Sequence, residues 1–198
     1  MPFMTFKQDE THSLFNCNPN KNTGSIIMDM QPSLLDAVVN KVDLIESNIL
    51  QVQLLQILNI PICFSEQVPS KLGGTVSNLK DINHNLPIFE KNTFSAFGIE
   101  SFSKWVEKNE VKHLLVSGIE TPICIYQTCL DALRLNIKVT VLTDCTGGRR
   151  VYDIENAIFQ LRNFGCCIVP LETVIYSMIK SSLHPKFREI SRFIKNRN

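Results

Sequence analysis

The chain has none of the long apolar runs that mark membrane proteins. No stretch approaches the roughly 18–20 apolar residues of a membrane-spanning helix. Residues 1–24 contain neither the apolar core of a signal peptide nor the Arg-rich, acid-poor composition of a transit peptide. We therefore expect a cytoplasmic protein without membrane contact. Its length of 198 residues suits one domain, residues 21–198, preceded by a flexible N-terminal arm, residues 1–20.

The chain also lacks an excess of charge of either sign. Twenty Lys and Arg residues oppose 19 Asp and Glu residues, which leaves a formal net charge of +1. Such a balance creates no strong field toward nucleic acids or anionic lipids, so nucleic acid is not an expected partner. The hydrophobic content of 44% is ordinary for a globular protein with one sizeable core.

Histidine is scarce, and the cysteines show no regular spacing. The four histidines lie more than four residues from each other and from every cysteine, and no Cys-x-x-Cys pair occurs. This pattern fits neither a disulfide framework nor a zinc site, so we expect reduced thiols that act mostly as small core residues. The seven are Cys17, Cys63, Cys124, Cys129, Cys145, Cys166 and Cys167.

Apolar runs alternate with amphipathic stretches along most of the chain. This rhythm predicts a parallel sheet with helices on both faces, an α/β fold. The predicted strands are 24–28, 60–64, 86–89, 111–116, 138–142 and 166–169. The predicted helices are 33–58, 98–108, 122–135, 153–163 and 173–180, and 65–86 reads as a long loop.

The segment 114–143 is the most informative part of the sequence. It reads as a buried strand, a tight turn, a helix and a second buried strand, with Cys124 in the first helical turn. The positive end of a helix dipole favours a thiolate over a thiol. We therefore interpret Cys124 as an activated nucleophile.

Two further polar residues follow strands of the same predicted sheet. Asp29 follows the first strand and Lys91 the third. If the strand order is 3-2-1-4-5-6, the first and fourth strands are neighbours at the point where the order reverses, where sites of such sheets lie. Lys91 would then pair with the Cys124 thiolate, and Asp29 would take and return the thiol proton.

Each of these residues also has an ordinary structural interpretation. A cysteine in a helical apolar pattern more often packs in the core, an aspartate after a strand often caps a turn, and a lysine near a loop is usually a surface charge. Only their shared position at the strand ends favours a site.

Several short motifs, in order along the chain, resemble one family. They are IIMDMQ (26–31), SEQVP (65–69), LGGTV (72–76), FEKNTFSAF (89–97), GIETPIC (118–124), QT (127–128) and HPKFREI (184–190). Together they resemble the isochorismatase-like cysteine hydrolase superfamily, and most closely the isochorismatase domain-containing proteins of eukaryotes.

This resemblance implies a three-layer α/β/α fold with a six-stranded, doubly wound, Rossmann-like parallel sheet. It implies a catalytic triad of Asp29, Lys91 and Cys124, and a non-proline cis peptide between Ile119 and Glu120. The backbone amides of Glu120 and Cys124 would form the oxyanion hole. The predicted substrate pocket consists of Gln31, Leu34, Phe94, Thr121 and Pro122. A homo-oligomer, dimer or tetramer, is also implied.

The sequence departs from other branches of this superfamily. The Asp-x-His metal motif of nicotinamidases is missing from residues 64–69, so we expect no metal and no cofactor. Cys124 favours thiol chemistry on an amide, carbamate or related acyl group over cleavage of a vinyl ether. Gly147, Gly148, Arg149 and Arg150 replace a Ser-Ser-Arg type stretch and could line the site or face a neighbouring subunit.

Three functions follow, in decreasing order of support. The first is a cysteine hydrolase that cleaves a small amide-like, non-peptide C–N substrate through a covalent acyl-enzyme. The alternative is a catalytically silent binding or scaffold protein with the same fold. A nuclease or RNA-binding role is disfavoured, because the basic tail also reads as an amphipathic helix that packs Phe187, Ile190 and Ile194 against the body.

Overall fold

Six parallel strands form one sheet in the order 3-2-1-4-5-6, counted along the chain, which confirms the predicted fold class and strand order. The structure is a computed structural model that describes residues 22–195. The strands are β1 Thr23–Met28, β2 Ile62–Gln67, β3 Ile88–Lys91, β4 His113–Gly118, β5 Lys138–Thr146 and β6 Cys167–Val169. The predicted arm, residues 1–20, lies outside the described residues.

Helices cover both faces of this sheet. They are α1 Pro32–Leu35, α2 Lys41–Ile57, α3 Pro69–Leu72, α4 Ser77–Lys80, α5 Glu100–Lys108, α6 Tyr126–Arg134, α7 Val151–Asn163, α8 Leu171–Ile179 and α9 Phe187–Lys195. A 3-10 turn, Ala96–Gly98, precedes α5, and a π-helical turn, Thr121–Ile125, precedes α6. None of the helices within residues 22–195 is both long and apolar enough to cross a membrane.

Two apolar layers, one on each face of the sheet, hold the helices in place. Ile27 of β1 packs in the layer formed with α2, α8 and α9, whereas its neighbour Ile26 packs in the layer formed with α5, α6 and α7. Successive strand residues point to opposite faces, so the continuous apolar run of β1 feeds both layers. This arrangement is the three-layer fold that the resemblance implied.

The single helix predicted over 33–58 is wrong, because the structure divides it into α1 and α2. The chain turns between them, and Asn40 adopts a left-handed backbone with φ of 56° just before α2 begins. Val38 lies in this turn, and its side chain is nevertheless buried. The apolar spacing therefore continues across a break that periodicity alone does not reveal.

The long loop predicted over 65–86 is also wrong in part. β2 extends to Gln67 through a polar stretch, and α3 and α4 follow it. These polar residues stay in the strand because Ser65, Glu66 and Gln67 pair in register with Phe89, Glu90 and Lys91 of β3. The extra strand length carries polar side chains to the edge of the sheet where Asp29 and Lys91 lie.

The basic C-terminal tail packs against the body, as its amphipathic pattern predicts. Ile190 of α9 is fully buried, and Phe187, Phe193 and Ile194 pack against the same apolar layer. The basic side chains of Arg188, Arg192 and Lys195 remain exposed. The apolar face of this helix is therefore structural.

His113, at the start of β4, is a buried imidazole whose protonation opposes folding. Its ring nitrogen Nε2 lies 2.7 Å from Thr140 Oγ1. Burial, with a smaller contribution from the charge of Lys138, lowers the pKa of His113 from 6.5 to about 4. The His113 imidazole therefore binds a proton at a lower pH in the folded protein than in the unfolded chain.

We predict that this histidine makes the protein acid-sensitive. The contribution of the neutral imidazole to the free energy of unfolding is complete above the unfolded-state pKa of 6.5. It is lost as the pH falls toward the folded-state pKa of about 4. The loss should reach about 3 kcal/mol of unfolding free energy. Urea unfolding of wild type and His113→Gln at pH 7.5, 5.5 and 4.5 measures it, because glutamine can still bond Thr140 but does not titrate. Equal losses in both proteins would contradict the assignment.

Candidate active site

Three ionisable side chains from separate segments meet at the carboxyl edge of the sheet. Asp29 follows β1, Lys91 ends β3, and Cys124 lies in the π-helical turn after β4. Lys91 Nζ lies 2.7 Å from Asp29 Oδ2 and 3.5 Å from Cys124 Sγ. Asp29 is fully buried, and Lys91 and Cys124 are only 4% and 7% exposed. The structure thus brings together the three residues that strand-end position and resemblance selected.

Asp29 is held by its backbone as well as by its carboxylate. Its φ of 54° is left-handed, a conformation that aspartate tolerates better than most residues. Its N–H donates to the Ser65 carbonyl at 3.0 Å, and its carboxylate Oδ1 accepts from the Ser65 hydroxyl at 2.8 Å. The carboxylate is therefore fixed between a neutral donor on β2 and the ammonium of Lys91.

The Lys91 ammonium is surrounded by acceptors. Besides Asp29 and Cys124, it donates to the side-chain oxygen of Gln67 and to the Thr93 carbonyl, the latter at 3.4 Å. A buried ammonium requires such partners, because the desolvation of an unpaired charge is costly. The arrangement holds Lys91 Nζ among these acceptors and in contact with the Cys124 sulfur.

The backbone around Cys124 brings the nucleophile turn close to β1. Gly118 ends β4 with φ of 95°, and a Cβ there would collide with the backbone of Met28. The peptide bond between Ile119 and Glu120 is cis. Thr121 then anchors the turn, since both its N–H and its hydroxyl donate to the Gly147 carbonyl, at 2.8 and 2.9 Å. The backbone amide of Glu120 precedes this turn, and that of Cys124 lies within it.

The expectation that Cys124 has a lowered pKa is wrong for the resting protein. Burial is the largest cause that raises the pKa of this thiol, to about 12. The Asp29 carboxylate raises it further through its charge and by accepting a hydrogen bond from the thiol, and Lys91 offsets only part of this. Cys124 lies before α6 in the tight turn, where loss of water outweighs any benefit from the helix dipole.

The predicted pocket residues divide into two groups. Gln31 and Thr121 are fully buried. The Gln31 amide bonds to backbone groups of Gln67 and Gly73, and the Thr121 hydroxyl bonds to Gly147, so these two do not line an open pocket. Leu34 and Pro122 are half-buried, and Phe94 is 59% exposed. These last three remain available as a pocket wall.

Arg149 forms an ion pair close to the nucleophile turn. Its Nε lies 3.0 Å from a carboxylate oxygen of Glu120, and its side chain is 51% exposed. Of the two alternatives for this stretch, the position of Arg149 beside Glu120 favours lining the site. Among residues 22–195, no three or more His, Cys, Asp or Glu side chains are grouped so that they could hold a metal ion.

Sequence reasoning missed two residues of this cluster, Ser65 and Gln67. Both were assigned to a loop, because polar residues after an apolar run usually end a strand. Their spacing of two places them on the same face of β2, toward Asp29 and Lys91. Two signals could have found them: that alternation, continued past Phe64, and the motif SEQVP (65–69), which contains both residues.

Comparisons with known proteins identify the family of the chain. The family model of the isochorismatase domain matches residues 23–173. Isochorismatase domain-containing protein 1 of Danio rerio is 33% identical over 167 residues, which cover 84% of this chain and 59% of that protein. The chain thus spans about three fifths of the length of this relative.

Two solved structures have the same fold. A Caenorhabditis elegans protein described as MAR1 ribonuclease is 29% identical, with a TM-score of 0.84, and the match covers 89% of this chain and 91% of that one. The YcaC gene product of Escherichia coli, described as an octameric hydrolase of unknown specificity, is 20% identical, with a TM-score of 0.77. That match covers 90% of this chain and 96% of the other, and at this identity it establishes the fold alone. Since the family model matches well over half of the chain, the chain belongs to the isochorismatase family.

Proposed function

We propose that the protein is a cysteine hydrolase that cleaves a small amide-like, non-peptide C–N substrate through a covalent acyl-enzyme. The observation that carries this proposal is a buried ion pair, Lys91–Asp29, in contact with the Cys124 thiol. Buried charge pairs beside a nucleophile are costly for folding and are concentrated at functional sites. A purely structural role would need neither the thiol nor the ammonium.

The first half of the reaction forms the acyl-enzyme. Asp29 accepts the thiol proton as the Cys124 sulfur attacks the carbonyl carbon of the substrate, and Lys91 stabilises the charge that develops on sulfur. The negative charge then moves to the carbonyl oxygen, where the backbone N–H groups of Glu120 and Cys124 donate hydrogen bonds. The C–N bond breaks as the leaving amine takes the proton from Asp29, and a thioester remains on Cys124.

The second half releases the acid. A water molecule attacks the thioester carbonyl while Asp29 accepts one of its protons, and the C–S bond breaks to release the carboxylic acid. The proton on Asp29 returns to the Cys124 sulfur, which regenerates the thiol. The raised pKa of Cys124 is consistent with this cycle. The thiol keeps its proton in the resting protein and transfers it to Asp29 only as the sulfur attacks a bound substrate.

We predict that Cys124→Ala, Lys91→Ala and Asp29→Ala each reduce turnover of a small-amide panel at least about 1,000-fold, because the three groups act as a unit. Amine release measures turnover, and intact-mass spectrometry should detect an acyl adduct on wild type but not on Cys124→Ala. Cys167→Ser is the matched control, because this half-buried thiol of β6 should be dispensable. Full activity of Cys124→Ala would end the proposal, whereas a folded wild type without adduct or turnover would favour the silent scaffold.

We predict that removing Asp29 activates the thiol even though it stops turnover. Asp29 raises the pKa of Cys124 and Lys91 lowers it, so Asp29→Asn should shift iodoacetamide labelling of Cys124 to lower pH and Lys91→Met to higher pH. Peptide mass spectrometry measures the rate of labelling at fixed pH values between 7 and 10.5, where only a small thiolate fraction reacts and the rate falls as the thiol pKa rises. Identical labelling rates in the three proteins at every pH would show that neither charge acts on the thiol.

RNA cleavage is a second candidate, and it derives from the Caenorhabditis elegans neighbour that is described as a ribonuclease. The exposed Arg188, Arg192 and Lys195 of α9 are the basic groups that such a role could use. We predict no mobility shift of a 20-nucleotide RNA at 20 mM salt and no cleavage of it. A shift that disappears in an Arg188→Glu/Arg192→Glu variant would instead favour RNA as the ligand.

We also infer a homo-oligomer, dimer or tetramer, and a cytoplasmic location. Val151, Tyr152 and Phe159 of α7 are exposed apolar side chains suited to contact between subunits, and the Escherichia coli neighbour is described as octameric. Five cysteines within residues 22–195 carry free thiols, which suits a reducing compartment: Cys63, Cys124, Cys129, Cys166 and Cys167. Light scattering of the purified chain distinguishes the assembly states.

A further inference from the structure

Asp29 and Lys91 lie on strands that are not neighbours. β2 separates β1 from β3, and adjacent strands are about 4.8 Å apart, so the two backbones are about 10 Å apart. Lys91 reaches Asp29 only because its long side chain passes over β2. The residues of β2 beneath that path therefore determine where the ammonium comes to rest.

Gln67 is the residue of β2 that meets this ammonium. It is paired in register with Lys91, and its side-chain oxygen accepts a hydrogen bond from Lys91 Nζ. Two positions earlier, Ser65 donates to Asp29 Oδ1 at 2.8 Å. β2 thus contacts each member of the ion pair with one uncharged side chain.

The position of Gln67 is itself fixed by a buried amide. Gln31 Oε1 accepts from the Gln67 N–H at 2.7 Å, and Gln31 Nε2 donates to the Gln67 carbonyl at 3.0 Å. The Val68 N–H adds a bond to the Lys91 carbonyl at 2.8 Å. Hydrogen bonds therefore fix the backbone of Gln67 on both sides of its Cα, which restricts the position of its side chain.

The charges of the two ionisable groups in contact with the Cys124 thiol sum to zero. Asp29 from β1 and Lys91 from β3 cancel, and Cys124 is a thiol at rest. Two other carboxylates lie nearby but are engaged elsewhere. Glu66, on the opposite face of β2, accepts from the Thr75 N–H at 2.7 Å, and Glu120 pairs with Arg149 at 3.0 Å. A carboxylate at position 67 would leave the buried cluster with one excess negative charge.

We infer that Gln67 is a positioning residue, a neutral acceptor that holds the Lys91 ammonium between Asp29 and Cys124 without adding charge. The inference rests on the proposed function, because it assumes that Lys91 serves the Cys124 sulfur. A glutamate would keep the acceptor oxygen but draw the ammonium toward itself and oppose the thiolate. An uncharged side chain is therefore required at this position, and an oxygen that carries a charge does not replace it.

Labelling of Cys124 by iodoacetamide tests this inference without any substrate. In the full chain at pH 9, Gln67→Glu should label Cys124 about tenfold more slowly than wild type, because a second carboxylate raises the thiol pKa. Gln67→Met, similar in size and uncharged, should remain within about threefold of wild type, since the charge sum is unchanged. In Asp29→Asn/Gln67→Glu the charge sum returns to zero, and most of the lost reactivity should return.

Gln160→Glu at an exposed position of α7 is the matched control and should label as wild type does. Circular dichroism checks that each variant is folded. Equal labelling of Gln67→Glu and Gln67→Met, or failure of the double variant to recover, would overturn the inference and leave Gln67 as a packing residue. Because labelling needs no turnover, a protein that hydrolyses no amide but shows this split would retain the Gln67 assignment and lose only the proposed reaction.

Discussion

The organisation of the site depends on the ion pair between Lys91 and Asp29. Both charges are buried, so each requires the other to offset its desolvation, and the pair forms only if β1, β2 and β3 lie side by side. The hydroxyl of Ser65 and the amide of Gln67 complete the coordination from β2. Folding of the sheet and assembly of the site are therefore the same event.

The burial that strengthens this ion pair also keeps the thiol protonated. A sulfur with little access to water and a neighbouring carboxylate has a raised pKa, even with an ammonium 3.5 Å away. Cys124 is therefore a neutral thiol in the resting protein and not a thiolate. In the proposed reaction, such a site keeps the nucleophile unreactive at rest and forms the thiolate only when substrate is bound, as Asp29 receives the proton.

The sequence predicted the fold class, the strand order and the meeting of Asp29, Lys91 and Cys124. Apolar runs that alternate with helical patterns permit few parallel arrangements, and strand ends converge at one edge of such a sheet. Sequence reasoning failed where tertiary contacts override local preference. Polar residues continue β2 to Gln67 because β3 pairs with them, and the helix predicted over 33–58 breaks at a turn that periodicity does not register.

The sequence by itself therefore determined which chemical groups are present and at which edge of the sheet they lie. It did not determine the ionisation of Cys124, since a pKa depends on water access and on charges brought from other strands. Nor did it separate Gln31 and Thr121, which hold the backbone, from Phe94, which is exposed. Those properties arise from packing and distance in three dimensions, which only the tertiary structure decided.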